Sequence, residues 1–145
     1  MDKELLTESL VLVDGQEEAL TPRFYEILFA RYPAVRPMFS ADIGPQAKML
    51  RGAVIAVLDH LDDAAWLTDT LGALGARHAG WGVTAPMYDA VAECMIAAME
   101  ELGGGAWTPA MTAEWIAALG AVASLMQAGA SAADEVDGAD GVSAR

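Results

Sequence analysis

Residue types that hold metals or act as nucleophiles are scarce in this sequence: two histidines, His60 and His78, and one cysteine, Cys94. His60 falls near the C-terminal end of an expected helix, where a positive charge suits the helix dipole, and it reads as a solvated or capping residue. His78 closes another expected helix and is followed by Ala79-Gly80-Trp81-Gly82-Val83. The small residues leave space beside its ring, so it either ligates a metal or fills a gap. No second histidine, cysteine pair or carboxylate stands at metal-cage spacing around it, which argues against a mononuclear zinc site. A prosthetic group that brings four ligands of its own, such as haem, needs only one from the protein. Hydrolytic chemistry finds no support. There is no Gly-x-Ser-x-Gly elbow, and Cys94 sits in an apolar helical stretch with no partner motif, as a small hydrophobe. Gly103-Gly104-Gly105 lacks the lysine and the preceding strand of a phosphate loop. Asp62-Asp63 and Glu100-Glu101 read as helix-end or solvated acids.

The elements that must position these residues are helices. Leu5, Leu6, Ser9, Leu10 and Val13 recur at helical spacing from Lys3 to Val13, and Asp14-Gly15 breaks the run. A second helix starts at about Gln16 or Leu20 and reaches Tyr32. Pro33 and Pro37 then bracket a tight turn or 3₁₀ piece, and Ser40 to Gly44 is a loop. Pro45 opens a third helix to Leu61 with Met49, Leu50, Ala53, Val54, Val57 and Leu58 on its buried stripe. Asp62-Asp63 begins a fourth, which Gly80 to Gly82 terminates. Thr84 caps a fifth, with Pro86 in its first turn, that runs to Leu102. Thr108-Pro109 starts a last helix to about Ala128. The expectation is an all-α domain over residues 1–128. A disordered acidic tail is expected over 129–145, where the chain is mostly Ala, Ser, Gly and acid.

The chain has 145 residues, enough for one core. Twenty-one acids against eight bases give a net charge of −13, which repels phosphate backbones and anionic lipid, so neither nucleic acid nor membrane is an expected partner. The run from Trp115 to Ala133 holds no charge and approaches the length of a bilayer span. Its Ala, Gly and Ser content and acidic downstream flank favour a buried helix of a soluble bundle instead. The first residues, Met1-Asp2-Lys3-Glu4, lack a signal-peptide pattern, and a cytoplasmic location is expected.

Four pieces in order carry a specific resemblance. The run Phe24-Tyr25-Glu26-Ile27-Leu28-Phe29 precedes Tyr32-Pro33-Ala34-Val35-Arg36-Pro37-Met38-Phe39; Gln46 stands four residues before Leu50; His78 stands four before Gly82-Val83; and Tyr88 lies ten residues past His78. Over about residues 5–128 the chain resembles single-domain bacterial haemoglobins and the haem domain of flavohaemoglobins, and the 32 residues from Gln46 to His78 (78 − 46) fit that family. The resemblance implies a globin fold of six to eight helices around haem b. His78 would ligate the iron, and Tyr88 would join a hydrogen-bonded network at that histidine. Phe39, Leu50, Val54, Leu74, Val83 and Met87 would line the slot, with Phe39 wedged on the porphyrin and Leu50 restricting the gas pocket. Tyr25 and Gln46 would face the bound gas as the catalytic pair. Lys48, Arg51 and Arg77 are the cations available to the propionates. His60, fourteen residues past Gln46 (60 − 46), is about 21 Å along the same helix and out of reach of the iron.

Two departures stand out: the loop from Phe39 to Gln46 is shorter than in those relatives, and the last helix offers no evident glutamate to complete the proximal network. The function implied is reversible dioxygen binding or transport, with NO and CO as further small ligands. Nitric oxide detoxification, by dioxygenation to nitrate, would depend on a separate reductase, since no FAD or NAD domain follows. The protein is expected as a monomer or homodimer. A haem-based gas or redox sensor and a haem-free globin-like interaction module are the alternatives.

Overall fold

The computed structural model describes residues 1–139, with side chains to residue 133. Six α-helices occur among the described residues: α1 (Lys3–Asp14), α2 (Leu20–Arg31), α3 (Gly44–Asp59), α4 (Ala64–Gly80), α5 (Ala85–Gly103) and α6 (Pro109–Ala139). Short 3₁₀ turns at Pro33–Met38 and Gly104–Ala106 join them, and no strand occurs among the described residues. The all-α expectation holds.

Local chemistry explains most boundaries. Asp2 caps α1 by accepting from the Leu5 N–H at 3.1 Å, and Gly15, at φ +60°, ends it in a conformation that costs a glycine little. Asp63 caps α4 by accepting from the Trp66 N–H at 3.1 Å. Pro33 and Pro37 confine the segment after α2 to 3₁₀ geometry.

The core is built from the inward faces of α1, α2, α5 and α6. Leu6, Phe24, Cys94, Met95, Ala98 and Met99 are sealed from water, with Trp115 beside them. Trp115 Nε1 donates to the Ser9 hydroxyl at 2.7 Å, a buried polar tie between α6 and α1. Arg23 forks onto Glu101 at 2.6 and 2.8 Å, and Arg31 and the Tyr32 hydroxyl both donate to Glu93, at 2.8 and 2.6 Å. These bonds join α2 and the residue after it to α5.

Helix α3 packs on α2 and α1, whereas α4 packs on α6. The α4–α6 contact is backbone to backbone. A Cβ at Gly75 would be driven into the Met126 carbonyl, and one at Gly129 into the backbone of Gly72. Helices α3 and α4 pack little on one another, and a space opens between them.

Two expectations need correction. The last helix does not stop at Ala128, and a disordered tail beginning at 129 does not describe residues 129–139, which continue α6. The seating of Gly129 on Gly72 carries the helix past that point, and the alanines that follow are strong helix formers. Residues 140–145 of the expected tail lie outside the described residues. Nor is the uncharged stretch of α6 a fully buried helix. The segment Pro109–Ala133 is long and apolar enough to cross a membrane by length and composition, yet only 11% of its apolar window is buried. Its inward face is divided among α4, α5, α1 and the open space.

Gly75→Ala should lower stability by about 1–3 kcal/mol, because the displaced atoms are backbone and cannot swing aside. Gly52→Ala in α3, whose Cβ would meet open space, should be neutral or stabilising by up to about 1 kcal/mol. Urea unfolding of the two variants side by side checks the contrast. Equal effects would mean that α4 and α6 are not in backbone contact.

Candidate functional site

The space between α3 and α4 is a cavity of about 270 Å³. Its walls are Phe24, Tyr25 and Leu28 from α2, Gln46 to Leu58 of α3, Leu71, Leu74 and His78 of α4, the first half of α5, and Trp115 to Met126 of α6. Among the described residues lining it none is charged; Tyr25, Gln46, His78, Tyr88 and Trp115 are the polar or partly polar ones. Met38 and Val91 line it and are themselves exposed, so the space reaches solvent there.

His78 stands in the last turn of α4, half-buried. Its Nδ1 lies 2.8 Å from the Leu74 carbonyl oxygen. A carbonyl can only accept, so the proton sits on Nδ1 and the lone pair on Nε2. Among the described residues no hydrogen bond engages Nε2. The chain then turns sharply: Gly82, at φ +87°, lets the Val83 N–H return to the His78 carbonyl at 3.0 Å, which brings Val83 into the cavity wall. Trp81, 63% exposed, leans on the imidazole with ring centroids 5.1 Å apart.

Across the cavity, Gln46 Nε2 donates to the Tyr25 hydroxyl at 3.1 Å. Tyr25 is buried, and desolvation pushes its phenol above the ordinary value despite the opposing effect of the Gln46 bond. It therefore stays protonated. Its oxygen already accepts from Gln46, which leaves the O–H free to donate into the cavity. An aromatic cluster fixes the ring: Tyr25 lies 4.9 Å from Phe24, 5.8 Å from Phe29 and 5.6 Å from Phe39, centroid to centroid.

The structure thus brings Tyr25, Phe39, Gln46, Leu50, Val54, Leu74, His78, Val83, Met87 and Tyr88 to one cavity. It does not bring the three cations there. Arg51 points the other way, with Nε 2.7 Å from the Asp14 carboxylate and a second nitrogen 3.6 Å from Glu18. The buried Asp14 demands a partner, and Arg51 is in reach. Lys48 and Arg77 are exposed and outside the lining. The network expected between Tyr88 and His78 is also absent among the described residues: Tyr88 lines the cavity without a hydrogen bond, and Leu74 holds the imidazole instead. His60 accords with its reading as a helix-end residue. It follows α3, bonds through Nδ1 to the Ala56 carbonyl at 2.7 Å, and stacks on Trp66 at 3.7 Å. Sequence reading missed the floor of the cavity, above all Trp115, Leu119, Val122 and Met126; their apolar spacing along α6 was the available signal.

One imidazole with a free Nε2, facing a phenol and a carboxamide across an uncharged apolar slot, is a donor set suited to an iron porphyrin and too poor for a bare metal ion. Among the described residues no cluster of three or more metal-ligating side chains occurs. Comparison with known proteins agrees. The family model described as globin matches residues 22–126, and the chain belongs to the globin family. It is 30% identical over 128 residues to a flavohemoprotein of Pseudomonas putida, an alignment that covers 86% of this chain and 33% of that protein. The chain thus spans about a third of the length of the flavohemoproteins it matches. Its fold is similar to that of a bacterial globin from Campylobacter jejuni, with a TM-score of 0.79 at 23% identity over 92% of this chain and 96% of the other. It is equally similar, at 0.79 and 25% identity over 92% and 94%, to an engineered carbene transferase assigned as a nitric oxide dioxygenase of Rhodothermus marinus.

With no cation in the lining, retention of a dianionic porphyrin should depend little on ion pairing. Lys48→Ala and Arg77→Ala should each leave hemin affinity within about twofold, and raising salt well past the point where exposed charges are screened should change it as little. Hemin titration followed by absorbance checks this. A tenfold loss (about 1.4 kcal/mol) in either variant would place the propionates on that side chain.

Proposed function

We propose that the protein is an oxygen-binding bacterial globin that holds haem b through Nε2 of His78. The observation that carries this reading is the fixed tautomer of His78, which leaves its ligating nitrogen free on the same uncharged cavity as the Tyr25–Gln46 pair. Bound haem would supply a ferrous iron that takes up dioxygen, NO or CO. The chain's own residues would do the rest. The Leu74 carbonyl orients the imidazole, the apolar walls exclude water, and Phe39 packs the slot. Tyr25, kept protonated by burial, donates its O–H toward the gas, and Gln46 aligns that hydroxyl.

The similarity to flavohemoproteins and to the Rhodothermus marinus protein supports a second step, conversion of nitric oxide to nitrate. One nitric oxide, one dioxygen and one electron make one nitrate, so sustained turnover draws on a reductase partner. His78 is held by a backbone carbonyl and not by a carboxylate, so no buried acid strengthens it as a donor. That suits reversible gas binding better than peroxidase chemistry. We place this activity in the cytoplasm, a reducing compartment compatible with the buried free thiol of Cys94, with the protein as a monomer or homodimer.

Purified protein supplied with hemin should show a Soret band that His78→Ala abolishes or grossly alters; a colourless wild type would end the reading. A hydrogen bond to a partly charged ligand is worth about 1.5–3 kcal/mol. Tyr25→Phe should therefore speed dioxygen dissociation about tenfold to a hundredfold, and Gln46→Leu, which acts partly through Tyr25, by less. Because the phenol lies above its usual value, wild-type dissociation should stay flat to about pH 9. Stopped-flow measurements across that range decide both points.

A further inference from the structure

The segment between the 3₁₀ turn and α3 has no regular structure of its own, yet it carries Phe39 at its start and Ile43 at its end, both packed against the core. Ile43 O already accepts from the Ala47 N–H at 2.9 Å, whereas the carbonyls of residues 39–41 have no helix to pair them. The Arg36 guanidinium meets them instead: Nη1 donates to Phe39 O at 3.3 Å and to Ser40 O at 2.9 Å, and Nη2 donates to Ala41 O at 3.0 Å. The same guanidinium lies over the Phe29 ring, 4.7 Å from its centroid, and Phe29 in turn contacts Phe39 at 5.4 Å. Arg36 thus grips Phe39 twice, through its carbonyl and through the ring that its own ring packs on. Among the described residues it forms no ion pair with any acid, although acids outnumber bases in the chain by more than two to one.

We infer that Arg36 is a positioning residue for the prosthetic group: its fork sets the backbone of residues 39–41 and so fixes Phe39 against the cavity that His78 borders. This rests on the haem reading above. The planar fork suits the task, since it reaches three carbonyls arranged round a bend from two nitrogens held in fixed geometry, whereas a lysine would bring one nitrogen on a flexible stem. The cavity lining offers no charge to anchor a porphyrin, so retention falls to the walls, and Phe39 belongs to the least regular one.

The test compares wild type, Arg36→Ala and Arg36→Lys in two ways. In the hemin-free chain, hydrogen exchange of the amides over residues 39–43 should quicken in both variants, while the core amides of α2 and α5 and the urea midpoint stay close to wild type. In the hemin-loaded chain, transfer of hemin to an excess of a high-affinity acceptor globin should speed up about tenfold in Arg36→Ala, the loss of one charge-assisted hydrogen bond, with Arg36→Lys in between. Unchanged exchange over residues 39–43 overturns the inference. So does faster hemin loss that merely tracks a fall in overall stability, or a lysine variant indistinguishable from wild type in both measurements. If the wild type takes up no hemin, the haem reading and the inference about its retention fall together; quickened exchange over residues 39–43 would then leave Arg36 only a structural clamp.

Discussion

Two helices in backbone contact govern the rest of this structure. Because Gly75 and Gly129 carry no Cβ, α4 can lie directly on α6, and it needs no support from α3. That brace holds α4 away from α3 and places the last turn of α4, with His78, across from Gln46 and Tyr25. The uncharged apolar walls of that space, facing water where it reaches the surface, forgo burial worth roughly 25 cal/mol per Å². Total stabilities are only about 5–15 kcal/mol. A chain that keeps such a space braced open keeps it for an occupant that returns the cost, and an uncharged wall specifies one that is itself largely apolar.

The two histidines show how little separates a ligand from a cap. Each bonds through Nδ1 to the carbonyl four residues back, at 2.7 Å for His60 and 2.8 Å for His78, so each presents the same tautomer. The difference is what covers the ring. Trp66 lies flat on His60, at 8° between planes, and the pair stands outside the cavity; His78 is touched at an angle by Trp81 and borders the cavity. No local pattern in the sequence distinguishes these settings, because the covering residue arrives from beyond the helix end in both. What made His78 legible was its place in a longer order of residues, with Gln46 before it and Gly82-Val83 after.

The same reasoning separates what the sequence showed from what it hid. Helix starts at Asp63, Pro45 and Pro109 were readable because capping and proline effects act within a few residues. The apolar stripe of α3 was readable only in part: Leu50, Val54, Val57 and Leu58 line the cavity as burial's period requires, but Met49, expected on the same stripe, is 67% exposed, and Ala47 is the residue buried in that turn. The end of α6 was not, since residues 129–139 look like solvent-facing filler until Gly72 is set beneath Gly129. Partner choice was hidden too. Arg51 stands five residues past Gln46 and was a natural candidate for the cofactor's carboxylates, but Asp14, thirty-seven positions away, claims it.

That last point extends to the whole cationic inventory. With eight bases against twenty-one acids, three of the five arginines among the described residues with side chains are committed to neighbouring helices before a cofactor could recruit them. Arg23 is taken by Glu101, Arg31 by Glu93 and Arg51 by Asp14. The pairs with Glu101 and Glu93, exposed or half-exposed, add little stability each, whereas Arg51 answers the buried Asp14; all three orient the helices and remove the charges from circulation. Arg36 is committed differently: it serves three carbonyls and an aromatic face beside the cavity. A strongly acidic chain that must hold an anionic, flat, apolar group has two courses, to line the site with cations or to grip the group by shape. The lining here has no cation among the described residues, and its best-placed arginine shapes a wall; on the haem reading proposed above, this favours grip by shape.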